Sequence, residues 1–115
     1  MSVSRSIGGI APMRRVVVTG IGIVSSIGNT KEEVEASLRV GRSGIEASAE
    51  MAEHGFRSQV VGTLNVDPTE HIGKRTLRFM GPGAAYAFIA MQQAIKDSGL
   101  DEADRVNSRT GLIAG

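Results

Sequence analysis

The stretch VVVTGIGIVSSIGN, residues 16–29, carries an apolar run into a glycine-punctuated loop, and the purpose of those glycines decides the fold. Val16 to Thr19, continuing through Ile21, reads as a strand. It is β-branched and apolar on both alternating faces, the pattern of a strand covered on two sides. TKEEVEASL at residues 30–38 reads as a helix, because Thr30 and Glu33 form a T-x-x-E capping box and Val34 and Leu38 mark a buried stripe. A strand, a glycine loop and a helix invite comparison with a dinucleotide-binding turn, which needs G-x-G-x-x-G so that the backbone can touch pyrophosphate. Gly20 and Gly22 fit, but the third place is Ser25. The helix also starts several residues too late for its N-terminus to hold a phosphate at the first turn. No carboxylate follows at the spacing that would bind ribose, and no G-K-[ST] supplies a Walker loop. The stronger reading is that the glycines permit a tight crossing of packed layers. A small Rossmann-like nucleotide-binding domain stands as the alternative.

Working outward, Gly41 reads as the left-handed cap of the first helix, and Ser43-Gly44 as a turn. Residues 45–56 are mixed and fit helix or loop. SQVVGTLNV at residues 58–66 reads as a strand, with Gly62 marking a bulge or a close backbone neighbour. Asp67-Pro68 is a helix-start signal for a short stretch with scattered basic residues. The strongest periodic element runs from Pro82 to Ser98 and stops at Gly99. Ala84, Ala87, Phe88, Met91, Ala94 and Ile95 line one face, yet Ala85, Tyr86, Ile89 and Ala90 make the other sides apolar as well. Such a helix expects enclosure, with only Gln92, Gln93, Lys96 and Asp97 wet. TGLIAG, residues 110–115, has the character of a buried strand. These elements need more cover than the rest of the chain can give, so the sequence predicts a fragment of something larger.

The 115 residues fit one domain at most, and 41% hydrophobic with 22% charged residues is an ordinary globular composition. A net charge of +1 offers no global field for nucleic acid or an anionic membrane. The longest apolar stretch, AAYAFIAM at residues 84–91, is far short of the ~20 residues that span a bilayer. Residues 1–12 read as a disordered extension too weak for a signal peptide, and a cytoplasmic setting is the default. With no cysteine, disulfides, thiolate nucleophiles and cysteine-based zinc sites are all excluded from these residues. His54 and His71 read as solvent-facing loop residues.

Six segments carry a resemblance: RRVVVTGIGIVSSIGN, SLRVGRSGI, FRSQVVG, RTLRFM, YAFIAMQQAIKDSGL and RTGLIAG. In order and spacing they resemble the opening of the type I β-ketoacyl-acyl carrier protein synthases, condensing enzymes of bacterial fatty acid synthesis. The resemblance covers nearly everything from Met13 to Gly115, and IVSSIGN and RFM point to type I rather than type II. It implies an α/β fold of the thiolase-like kind, layered α/β/α/β/α, of which residues 13–115 would form an incomplete N-terminal part, with homodimers in the full-length family. It implies acyl transfer to a cysteine and decarboxylative condensation with malonyl-carrier protein, without an organic or metal cofactor. The nucleophilic cysteine, two catalytic histidines and a lysine would belong to later sequence. No catalytic residue is therefore expected among these 115, which alone should be inactive.

One surface remains. Lys74 and Arg78 are four apart on the short helical stretch, with Arg75 three before Arg78. From the residues alone this is a solvated basic face or a small binding module for an acidic protein. The resemblance implies that Lys74, Arg75 and Arg78, with Arg57, dock the acidic acyl carrier protein, as electrostatic complementarity would favour. Phe79 and Met80 are expected in the core, and Phe88 and Met91 in the enclosed helix.

Overall fold

A computed structural model describes residues 14–115; the extension expected at residues 1–12 lies outside the described residues. In chain order the elements are α1 (Lys31–Arg39), β1 (Ile45–Ala47), α2 (Ala49–Glu53), β2 (Val60–Gly62), a 3-10 turn (Pro68–Glu70), α3 (Lys74–Leu77), α4 (Pro82–Ser98) and α5 (Glu102–Arg105). This is a mixed architecture of helices and one small sheet.

Helix α1 begins and ends where its sequence signals it. Thr30 Oγ1 accepts from the Glu33 amide at 3.2 Å, and the Glu33 carboxylate accepts from the Asn29 amide at 2.8 Å, one residue before the cap. At the other end Gly41 takes φ +67°, Arg42 N–H bonds Ser37 O at 2.8 Å and Gly41 N–H bonds Leu38 O at 3.2 Å. That pair of bonds is the Schellman closure a left-handed glycine allows. The buried stripe differs from the expected one: Val34 is buried, but Leu38 is exposed and Ser37 takes the inner position. Ser37 is accepted there because its hydroxyl donates to Ile27 O at 2.6 Å, which removes the cost of burying a polar group.

The expected strand at residues 58–66 shortens to β2, and its partner β1 comes from the stretch that fits helix or loop. They pair antiparallel, Ile45 opposite Gly62 and Ala47 opposite Val60. The hairpin carries the turn made by residues 25–28, which closes on itself through Ser25 N–H to Gly28 O at 3.0 Å. Gly44 and Gly62 are both small because Ser26 lies against them; a Cβ on Gly62 would meet Ser26 Oγ at 3.2 Å. Gly62 is therefore a close-approach glycine and not a bulge.

Two expectations are corrected. Residues 16–21 and 110–115 form no strand, and Val16 and Ile113 are 91% and 99% exposed. Their composition suits a sheet interior, but a strand exists only with a ladder, and no described segment pairs with either. Helix α4, capped by Gly99 at φ +66°, is likewise not enclosed. Its Ala85–Ile89 stripe is buried with Ile72 and backed by Val24, Val66, Leu77 and Met80. Ala84, Ala87, Phe88 and Met91 instead face an open apolar groove of about 610 Å³ that reaches Leu112 and Ile113. Among the described residues the Ile72 cluster covers the Ala85–Ile89 stripe, whereas Ala84, Ala87, Phe88 and Met91 stay exposed.

Candidate functional site

The glycine loop crosses α4 at backbone contact. A Cβ on Gly20 would run into Ala94 O and come within 2.7 Å of the Ser98 amide; on Gly22 it would run into Ala90 O and lie 2.7 Å from the Ala94 amide. Both glycines are therefore required by the helix backbone itself. Side chains from the same face of α4 then bind the loop. Ile21 N–H donates to Asp97 Oδ2 and Ile23 N–H to Gln93 Oε1, each at 3.0 Å, while Gln93 Nε2 donates to Asn29 O at 2.7 Å. Asp97 Oδ1 also accepts from Lys31 Nζ at 2.7 Å, linking α4 to the first residue of α1.

This geometry removes the nucleotide alternative at its foundation. The surface a pyrophosphate would approach at Gly22 is occupied by α4, and the neighbouring N–H groups at Ile21 and Ile23 are already spent on Asp97 and Gln93. The electrostatics follow the bonds. The Lys31 ammonium bond and the Ile21 amide hold the Asp97 carboxyl below its ordinary 3.8, and Asp97 in turn holds Lys31 above its ordinary 10.5. Asp97 is exposed, as expected, and still holds the loop, while Gln93, also expected to be wet, is half-buried. The signal was available: Ala90, Gln93, Ala94 and Asp97 share one helical face, two small residues against two glycines with a polar group beside each.

The basic cluster is built on α3. Gly73 opens the helix without a side-chain cap, Lys74 and Arg75 occupy its first turn, and Arg78 closes it. All three, and Arg57 in the bend between α2 and β2, are exposed. Among the described residues two ion pairs form, Lys31–Asp97 and Arg39–Glu35, and neither uses any of these four cations. Lys74, Arg75 and Arg78 share α3 and its C-terminal cap, whereas Arg57 belongs to the bend between α2 and β2.

At the end of α3 two neighbours part. Met80 turns in against the Ile72, Ala85 and Ile89 cluster, as expected. Phe79, also expected in the core, is 81% exposed, with the Arg78 guanidinium 5.4 Å from its ring centroid. The correction has a local cause: Phe79 N–H and Met80 N–H close successive tight turns on Thr76 O and Leu77 O, which place consecutive side chains on different sides.

His54 caps α2, its Nδ1 2.8 Å from Glu50 O, and His71 caps the 3-10 turn; both are exposed, as expected. A polar cleft of about 460 Å³ lies between the 25–29 turn and the hairpin, lined by Ser25, Asn29, Arg42, Glu46 and Asn65 among others. Among the described residues no group of three or more His, Asp or Glu side chains is placed to hold a metal ion. No described helix is long and apolar enough to cross a membrane.

The chain is 55% identical over 103 residues to 3-oxoacyl-[acyl-carrier-protein] synthase 1 of Haemophilus influenzae, covering 90% of this chain and 25% of that protein. It is 54% identical over 104 residues to the synthase 1 of Escherichia coli K12, covering 90% and 26%. To 3-oxoacyl-[acyl-carrier-protein] synthase 2 of Vibrio harveyi the identity is 36% over 103 residues, covering 89% and 25%. The preference for type 1 read from IVSSIGN and RFM is borne out, and the chain spans about a quarter of the length of these curated relatives. Residues 13–115 match the family model described as beta-ketoacyl synthase, N-terminal domain, and the chain belongs to that family.

Proposed function

We propose that residues 13–115 act as the opening portion of a β-ketoacyl-acyl carrier protein synthase, supplying scaffold and a carrier-protein docking surface while later sequence supplies the chemistry. The complete enzyme joins an acyl thioester to malonyl-carrier protein with loss of carbon dioxide, in fatty acid synthesis. Its acyl group rests on a cysteine, and no cysteine occurs among these 115 residues, so the chain by itself turns over no substrate. The layered thiolase-like arrangement, the homodimer and the boundary at residue 13 belong to the same reading. Arg57, Lys74, Arg75 and Arg78 steer the acidic carrier protein, with the three α3-linked cations acting as one patch.

The observation that carries this reading is the identity of 54–55% along nearly the whole chain to two synthases, each about four times its length. The open apolar faces of α4 and of residues 16–18 support it physically, since they have the composition of surfaces made to be covered. A hybrid tests it: residues 13–115 replace the matching first quarter of the Escherichia coli synthase 1, and condensation of an acyl thioester with malonyl-carrier protein is assayed. Activity within about tenfold of the parent is expected for a correctly covered scaffold. A hybrid that folds and dimerises but does not condense would overturn the reading, as would condensation by the 115-residue chain alone.

A further inference from the structure

We infer that Phe79 is the apolar anchor of the basic patch, and that the patch fits an acidic protein helix bearing an exposed aliphatic side chain. The inference rests on the docking reading above and adds a residue and a partner chemistry to it. Of the large apolar side chains that face solvent, Phe79 differs from Val16, Phe88 and Ile113 in what surrounds it. Phe88 and Ile113 line the open apolar groove along α4, and Val16 begins an exposed run of three valines. Phe79 follows Lys74, Arg75 and Arg78, is 81% exposed, and carries the Arg78 guanidinium 5.4 Å from its ring centre, within the reach of a cation–π contact.

That contact decides what can cover the ring. Polypeptide laid over Phe79 would also desolvate Arg78, and no described carboxylate pairs with Arg78, Arg75 or Lys74. Burying an unpaired guanidinium is strongly unfavourable. A cover that brings its own carboxylates removes the penalty, and an aliphatic group between those carboxylates takes the ring. An aromatic held among arginines is also the composition of an interface anchor, where a few such residues dominate affinity. Charge then sets the encounter rate, and the ring sets the residence time.

The test is titration of a holo acyl carrier protein into the 115-residue chain, repeated at several salt concentrations, with Phe79→Ala, Phe79→Leu and Arg75→Glu. Phe79→Ala should weaken binding about tenfold through faster dissociation, with the salt slope unchanged, and Phe79→Leu should recover most of the loss. Arg75→Glu should weaken binding and flatten the salt slope. If Arg75→Glu weakens binding while Phe79→Ala leaves it within about twofold, the anchor falls and the docking reading stands. If neither substitution matters, both fall. The ring's exposure leaves little packing to lose, and the same variants in the hybrid synthase give a second readout as a rise in KM for the carrier protein without a change in kcat. Hydroxyl-radical footprinting of that hybrid without carrier protein should label Phe79; a protected ring would mean that the enzyme's own chain covers it, and would overturn the anchor.

Discussion

Gly22 and Gly83 are the same residue type under opposite constraints. At Gly22 an added methyl would strike the carbonyl of Ala90, an atom of the helix backbone that cannot rotate away; around Gly83 nothing lies within 4 Å. Overpacking a rigid site costs about 1–3 kcal/mol, and a backbone obstacle places Gly22→Ala at the upper end or beyond. Gly83→Ala should instead stabilise by about 0.4–1 kcal/mol, because it restricts the unfolded chain without strain in the helix. Urea denaturation of the two variants against the parent checks both signs. Equal effects would mean that the crossing is loose and that the glycines serve something else. The sequence already favoured a crossing, because Ser25 occupies the third glycine position and the helix begins late. It did not reveal the depth of the contact, which depends on Ala90 and Ala94 some 70 residues away in the chain.

Elements with local signals were legible, and those defined by partners were not. α1 follows from its capping box and its left-handed glycine, and α4 from proline at one end and glycine at the other. β1 is not legible, because three residues of strand have no periodicity to read and its existence depends on pairing with β2. Residues 16–21 and 110–115 depart from expectation for the converse reason: their strand-like composition has no ladder among the described residues. Leu38 and Phe79 show the same limit at helix ends, where a shift of one position in a tightening turn exchanges inside for outside.

Between elements, the Asp97 carboxylate joins α4, α1 and the glycine loop, and this tie is sensitive to acid. The Lys31 bond first, and the Ile21 amide second, lower the Asp97 pKa from its ordinary 3.8. The folded state therefore binds a proton less readily than the unfolded state, so the contribution is full above about pH 5 and is lost as pH falls below 4 towards the folded value. Lys31, raised above 10.5, gives a contribution that is full below that value and lost at higher pH. The difference in melting temperature between the parent and Asp97→Asn should be constant from about pH 5 to 9 and shrink below pH 4. A difference that does not change with pH would mean that the carboxylate charge has no part in the tie.

For the whole molecule the dominant fact is uncovered apolar surface. Val16, Val17 and Val18 at one end, Leu112 and Ile113 at the other, and the groove along α4 form more exposed hydrocarbon than a small monomer tolerates. The isolated chain should bind the dye ANS with a several-fold rise in fluorescence and should self-associate as its concentration increases; in the hybrid synthase both effects should disappear. A monomeric chain that leaves the dye dark would contradict the reading of these faces as interior. The two long helices and the exposed basic residues of α3 were thus legible in the sequence, whereas the surface that stays open could be found only by folding the chain.

Gln93 has a mechanical consequence. Its single amide group accepts from Ile23 and donates to Asn29, so it bridges both ends of the intervening loop. Such a staple couples residues 23–29 to α4 and, through the packing of Ser26 on Gly62, to the hairpin.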